Sequence, residues 1–367
     1  MKKGPDLIEE FQMGFVGPDD DDDQSITFIP KQTSPKETLK NKIKVTEEAG
    51  LRKVTSVVDV MEDDEKLLMV IEDMLPDTGL MYVAGASGTG KTILAIQLVG
   101  NIVNGEPTMS WRLGPAVTDD FTALFLSLEM PKKELQLRLN HMYPNLTEEQ
   151  RKRFMDRFLC YSEFESFELW NPVHQLDLIM LIKEYNPNLL LVDSASVSFA
   201  TSLKNDEQVN ASIQFLYMIR SRFNIAMVVV AHTRKPSMEM VNSPETASLH
   251  ELFGHSGVAQ SASAIVIMLE DEKQRKATIA AGDGTKVEKM VHIVNAKARF
   301  GSNSGAFAAY LTSKENVDKG EPLMFRRNAI PIALTEEARR KLNKTAGADL
   351  KSLMAETDFG SLLDDDD

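Results

Sequence analysis

The 367-residue chain carries 41 Lys and Arg against 55 Asp and Glu, for a net charge of −14, with 43% apolar residues and one cysteine. That length supports a large core, and a lone cysteine excludes an intrachain disulfide and a cysteine-cluster zinc site. No apolar run is long enough to span a bilayer, and the polar, acidic stretch from Met1 to Phe11 does not read as a secretory signal, so a reducing, cytoplasmic setting without membrane contact is expected. The net charge argues at first against a polyanionic partner. However, Asp19–Asp23 and Asp364–Asp367 hold nine of the fourteen excess negative charges, which leaves the rest of the chain at −5, with room for a local basic surface.

From Met1 to about Val57 the sequence is polar, with Pro18, Pro30 and Pro35 and the basic residues Lys36, Lys40, Lys42 and Lys44. It reads as a flexible charged arm over residues 1–57, with one short helix near Thr38–Ala49. From Met69 the texture changes to short apolar runs separated by helix-length spacers: Leu80–Ala84, Ala123–Leu128, Leu189–Val192, Ala226–Ala231 and Ala264–Leu269. Runs of this kind are the pattern of parallel strands covered on both faces. Helices are predicted at Lys91–Val103 and Gln208–Arg222, from apolar residues recurring at helical spacing. After Leu269 the pattern shifts towards hairpins, with a tight turn at Gly282-Asp283-Gly284 and strands at Met290–Asn295 and Ala306–Leu311, and Thr335–Leu342 reads as a helix. The expectation is an α/β domain over residues 58–345, with a mostly parallel twisted sheet, helices on both faces and C-terminal β-hairpins, followed by an acidic tail at 346–367.

The first apolar run leads into Gly85-Ala86-Ser87-Gly88-Thr89-Gly90-Lys91-Thr92, which matches G-x-x-x-x-G-K-[ST] between a strand and a helix. The backbone N–H groups of such a loop cradle phosphate oxygens, Lys91 brings its charge to the β- and γ-phosphates, and Thr92 offers a hydroxyl to Mg²⁺. ATP with Mg²⁺ is the expected ligand. The run Leu189–Val192 ends in Asp193, which is expected at the C-terminal edge of the sheet, directed to Mg²⁺ through water. Ala123–Leu128 ends in Glu129, a group able to polarise the attacking water. Ala226–Ala231 delivers His232, followed by Thr233, Arg234 and Lys235, to the same edge. There His232 would sense the γ-phosphate and pass its presence to the next loop, the plainer alternative being a histidine satisfied by a core carbonyl.

Ser127-Leu128-Glu129-Met130-Pro131, continuing through Leu135 to Arg138, resembles a strand-end motif of the RecA-like motor domain in DnaB-type and RepA-like hexameric replicative helicases. Ser256-Gly257-Val258-Ala259-Gln260, ahead of Ala264–Leu269, is similar to that family's S-G-x-x-Q motif. Ala296-Lys297-Ala298-Arg299-Phe300-Gly301, with Gly305 beyond, resembles its K-x-R-x-G hairpin, here with Phe300 and one extra residue before Gly305. The segment from His232 to Lys235 looks more like the RepA-like branch, since DnaB relatives usually carry Gln at the sensor. The resemblance runs from about Met69 to Leu311 in the family's order. It implies a RecA-like P-loop NTPase core, Glu129 as catalytic base, and Arg299 with Lys297 reaching the nucleotide of a neighbouring subunit in a six-membered ring. It also implies an ATP-dependent helicase or translocase on single-stranded DNA in replication, in a bacterial, plasmid or phage setting. Cations delivered in trans make physical sense in an oligomer joined head to tail.

In such motors the loops after the Asp193 and His232 strands face the channel, so Ser198–Asn210 and Arg234–Phe253 are the expected DNA loops, with Lys204, Arg234 and Lys235 as their cations. Six copies of one or two contacts would line a single channel. The denser cluster Arg151-Lys152-Arg153 with Arg157 reads as the solvated face of an outer helix. The stretch from Asp358 to Asp367, acidic with the apolar residues Phe359, Leu362 and Leu363, reads as a tail that docks on a replication partner or simply solubilises the chain. Two other readings share the nucleotide chemistry: a recombinase or recombination mediator forming filaments on single-stranded DNA, and an ATP-switched loader or scaffold without catalytic turnover.

Overall fold

The computed structural model describes residues 66–162, 167–199, 206–233, 256–270, 288–301 and 306–327, together with Val57 and Met61. By its contacts the chain divides into two units, Met1–Glu65 and Lys66–Asp367. The expected helix near Thr38–Ala49, the turn at Gly282–Gly284, the helix Thr335–Leu342 and the tail at 346–367 lie outside the described residues.

Strands β1 (Met69–Ile71) and β2 (Leu75–Pro76) pair with each other in a small sheet of their own. The principal sheet is built from β3 (Leu80–Gly85), β4 (Ala123–Ser127), β5 (Phe158–Tyr161), β6 (Leu189–Asp193), β7 (Ala226–His232), β8 (Ala264–Glu270), β9 (Lys289–Ala298), β10 (Ala306–Leu311) and β11 (Phe325–Arg326). Their order across the sheet is β11-β10-β9-β8-β3-β7-β6-β4-β5. From β8 to β5 every neighbouring pair is parallel, whereas β9, β10 and β11 run antiparallel to their neighbours at one edge. This is the α/β class expected from the sequence, a mostly parallel sheet with antiparallel C-terminal strands at one edge.

Buried apolar runs of this kind make strands because each residue has a core to enter on whichever face it points. In β3, Met81 and Val83 enter the core that also contains Leu94, Leu98 and Ile102 of helix α1 (Lys91–Val103). Leu80, Tyr82 and Ala84 point the other way, into a core shared with Leu178 and Ile182 of α4 (Pro172–Tyr185) and with Ile213, Leu216 and Ile219 of α6 (Asp206–Phe223). The remaining helices are α2 (Lys132–Met142), α3 (Glu148–Arg157), the single turn α5 (Ala195–Ser198), α7 (Ser256–Ser261) and α8 (Lys314–Asp318). Helix α3 starts at a capping box between Thr147 and Gln150 and buries none of its residues. Arg153 pairs with Asp119 at 3.2 Å and Arg157 donates to the Asp119 carbonyl, so half of the basic cluster on this helix is tied to the loop beside it. Among the described residues no helix is long and apolar enough to cross a membrane.

The short edge strand β11 has a structural weight that its two residues do not advertise. The side chain of Gln97, buried in α1, takes both main-chain groups of Phe325: its Nε2 donates to the Phe325 carbonyl at 2.9 Å and its Oε1 accepts from the Phe325 N–H at 2.8 Å. The Phe325 ring then lies over Gly90, where an added Cβ would come within 2.7 Å of it. Arg326 completes the attachment with an ion pair of 2.7 Å to the buried Glu288. Replacing Gln97 by Ala leaves two buried backbone groups without partners, so we expect Gln97→Ala to lose about 2–4 kcal/mol in urea unfolding, against near-neutrality if β11 is a loosely attached edge.

Candidate active site

Strand β3 ends at Gly85, and the chain turns there because Gly88 and Gly90 take positive φ angles of 81° and 95°. Gly85 itself admits no side chain: a Cβ would stand 2.8 Å from the Met268 carbonyl of β8 and 2.9 Å from Thr89 Oγ1. Gly90 is the N-cap of α1, so the loop opens directly onto a helix N-terminus. This geometry turns main-chain N–H groups and the positive end of the helix towards an anion. Lys91 is buried, with Nζ donating to the Ala86 carbonyl at 2.8 Å, and Thr89 Oγ1 donates to the same carbonyl at 3.0 Å. Burial pulls the Lys91 pKa down, while Asp193 and Glu129 act in the opposite direction. A buried ammonium facing two carboxylates and a nest of N–H groups is suited to a phosphate.

The strand register brings the other groups to the same edge. Gly85 is level with His232 on β7, Ser127 of β4 is level with Asp193 of β6, and Asp193 is level with Val230 of β7. The Leu128 N–H donates to the Asp193 carbonyl at 2.8 Å, which fixes the chain just before Glu129 against β6.

The two carboxylates sit in opposite environments. Asp193 is 2% exposed, and neither of its carboxylate oxygens has a satisfying hydrogen bond. Burial raises its pKa to about 6, and the Thr92 hydroxyl offsets this in part without satisfying either oxygen. An orphaned buried carboxylate beside a hydroxyl on the phosphate-loop helix is a donor set for a hard divalent cation, which draws its other ligands from water and phosphate. Thr92 and Asp193 therefore fit Mg²⁺, and among the described residues no cluster of three or more His, Cys, Asp or Glu competes for a metal. Glu129, by contrast, is well supplied with donors. His232 Nε2 stands 3.4 Å from its Oε1, Ser196 Oγ donates to the same oxygen at 3.2 Å, and Ser194 Oγ donates to it as well. These contacts, His232 foremost, hold its pKa down to about 2 despite partial burial.

Lys297 and Arg299 are not part of this cluster. Strand β9 runs antiparallel to β8, so Lys297 is level with Ile265 near the start of β8, whereas the phosphate loop is level with Met268 near its end. Three residues of strand put about 10 Å between those levels. There Lys297 Nζ donates to the Ala259 carbonyl at 2.7 Å and Arg299 donates to the Gln260 carbonyl, both on α7. Within one chain, the two cations and the phosphate loop occupy opposite ends of the parallel strands. Lys204, Arg234 and Lys235 lie outside the described residues.

Sequence reasoning missed Ser194 and Ser196, which stand one and three residues after Asp193 and show their relevance only through contact with Glu129. It also missed Lys289, which donates to the Gly88 carbonyl and pairs with Glu270 at 2.8 Å. Glu270 was open to discovery, because it ends an apolar run just as Asp193 and Glu129 do.

A family model described as an AAA domain matches residues 46–238, just over half of the chain. No match is found among the curated proteins. Of the solved structures, the chain is similar to one of an ATPase domain, at 15% identity and a TM-score of 0.48, over 82% of this chain and 100% of that one. It is also similar to a DnaB-like replicative helicase whose interactions with primase were described, at 13% identity and a TM-score of 0.49, over 80% of this chain and 75% of that one. A third is a KaiC-like protein of Pyrococcus horikoshii, at 15% identity and a TM-score of 0.44, over 76% and 99% of the two chains.

The environment of Asp193 makes a stability prediction. Its folded pKa, about 6, lies above the unfolded value of 3.8. The charged form therefore destabilises the metal-free fold above pH 6, by on the order of 3 kcal/mol, and that cost fades as pH falls towards 4. Asp193→Asn should raise the metal-free melting temperature at pH 8 and leave it nearly unchanged at pH 4, while weakening Mg²⁺-dependent nucleotide binding at least tenfold. A gain independent of pH would show that the carboxylate is not strained by burial.

Proposed function

Because the chain belongs to the AAA domain family, whose model spans more than half of its length, we propose that it is an ATP hydrolase that assembles into a ring and moves along single-stranded DNA as a replicative-type helicase. The observation that carries the nucleotide part is the convergence of the phosphate loop, the orphaned Asp193 and the donor-rich Glu129 at one sheet edge. The ring and the DNA rest on the motif order from Ser127–Pro131 through Ser256–Gln260 to Lys297-Ala298-Arg299, and on the placement of the two cations away from their own phosphate loop.

In this reading the N–H groups of residues 85–92 hold the α- and β-phosphates, and Lys91 neutralises charge on the β- and γ-phosphates. Thr92 and Asp193 would hold Mg²⁺, which supplies Lewis-acid neutralisation of the triphosphate. Glu129, ionised at neutral pH, accepts a proton from the water that attacks the γ-phosphorus. In the same reading His232, whose Nε2 stands 3.4 Å from the Glu129 carboxylate, is the γ-phosphate sensor beside the base. Arg299, with Lys297 beside it, completes the site of the adjoining subunit by stabilising the transferring phosphoryl group. Such a heterologous contact closes into a ring when its rotation is six-fold. Lys204, Arg234 and Lys235 contact the DNA backbone, and with few cations per subunit the affinity comes from assembly and falls with salt. The acidic tail recruits a replication protein, and the site of action is the cytoplasm.

The test is ATP-dependent strand displacement on a forked duplex. The chain should unwind the fork with Mg²⁺ and ATP, and Glu129→Gln should bind ATP with near-native affinity while turnover falls by about 10²–10⁴-fold. Filaments on single strands without unwinding would identify a recombinase instead, and absent ATPase activity with saturating single-stranded DNA would identify a scaffold.

A further inference from the structure

Three donors converge on one oxygen of Glu129. Ser194 Oγ, Ser196 Oγ and His232 Nε2 all address Oε1, the last two at 3.2 and 3.4 Å, and none of these contacts is made to Oε2. The two serine oxygens also lie 2.5 Å apart, and since each hydroxyl carries one proton, one serine can donate to Oε1 directly while the other reaches it either directly or through its neighbour. Their own position is fixed from behind. Ser194 is fully buried at the entry to α5, Ser198 Oγ donates to the Ser194 carbonyl at 2.9 Å, and the Leu169 N–H donates to the Ser198 carbonyl at 2.6 Å. One residue further, the Phe199 carbonyl accepts from Ser212 Oγ of α6 at 2.8 Å. The serines therefore stand on a turn anchored to helix α6 and to the loop at Leu169, and they grip a carboxylate whose chain is tied to β6 by the Leu128 N–H.

A carboxylate gripped by one oxygen has lost rotation about its last bond, and its other oxygen is aimed by the same contacts. We propose that Ser194 and Ser196 are positioning residues for Glu129, holding Oε1 so that Oε2 is the atom that takes the proton of the attacking water. The step balances simply. The water oxygen bonds to the γ-phosphorus as the bond to the β,γ-bridging oxygen breaks, ADP leaves with that electron pair, and the water proton passes to Oε2. The same donors keep the carboxylate ionised, with its pKa at about 2. The other charged groups around it are Lys91 of the phosphate loop and Asp193 of β6, which bear on Glu129 through charge. This assignment rests on the reading of Glu129 as the base.

The test is steady-state ATP hydrolysis by the full chain carrying Ser194→Ala, Ser196→Ala, both together, or Ser196→Thr, in the native and the Glu129→Gln backgrounds. With both hydroxyls removed, kcat should fall about tenfold or more while KM and the dissociation constant for ATP stay within about twofold. Ser196→Thr, which keeps the hydroxyl, should retain native kcat, and in the Glu129→Gln background the serine changes should cost nothing further. Ser196→Ala alone, at the more open position, should lose about threefold and serves if the buried Ser194→Ala does not fold. Native kcat in the serine variants, with Glu129→Gln inactive, would overturn the positioning role alone, as would a serine effect of equal size in both backgrounds. Native turnover by Glu129→Gln would overturn the base assignment and this role with it.

Discussion

The site depends on the register of the parallel strands. Gly85 opposite His232, and Ser127 opposite Asp193 with Asp193 opposite Val230, put the ends of four strands within two residues of one level, so the loops that leave those ends share one cleft. Without that alignment the glycine-rich loop would hold an anion with nothing beside it to do chemistry. The alignment is enforced by burial on both faces: a slip of one residue in β3 would exchange Met81 and Val83 with Tyr82 and Ala84 between two cores of different shape. Stability of the sheet and geometry of the site are thus one constraint.

Within that cleft the protein separates two carboxylates by environment. Asp193 is buried without adequate donors, and its pKa rises to about 6; Glu129 is given three donors, and its pKa falls to about 2. Divergence of this kind assigns roles: an under-satisfied carboxylate favours a cation, and a satisfied one stays ionised and oriented. The clasp of Gln97 on Phe325, with the ring against Gly90, extends the constraint to the antiparallel edge, because the glycine that caps α1 cannot move without displacing β11.

Much of this was legible in the sequence, for a physical reason. Continuous apolar runs announce strands buried on both sides, and the residues that end them, Asp193, Glu129 and His232, fall where the chain leaves the sheet. The phosphate loop was legible because a turn of that tightness needs glycine at Gly88 and Gly90. What stayed hidden depends on partners distant in sequence. Strand β11 has two residues and no periodicity, and it exists through Gln97, 228 positions away. Likewise β5 follows a helix without buried residues and has only four residues of its own. Ser194 and Ser196 look like any strand-end serines until Glu129 is seen between them and His232. The basic pair Lys297 and Arg299 was legible as a motif, but only the antiparallel course of β9 shows that it faces away from its own phosphate loop.

That separation is the centre of the functional account, since the proposal is that a site whose own cations stand at the far end of the sheet is completed by a second chain. The most direct measurement is ATP hydrolysis by mixtures of Lys91→Ala and Arg299→Ala chains, with co-assembly verified by native mass spectrometry. Each variant alone should be nearly inactive, and the mixture should regain a substantial fraction of native turnover, because some interfaces then pair an intact phosphate loop with an intact arginine. Mixed assemblies that remain inactive, or full activity of Arg299→Ala alone, would contradict a site shared between subunits.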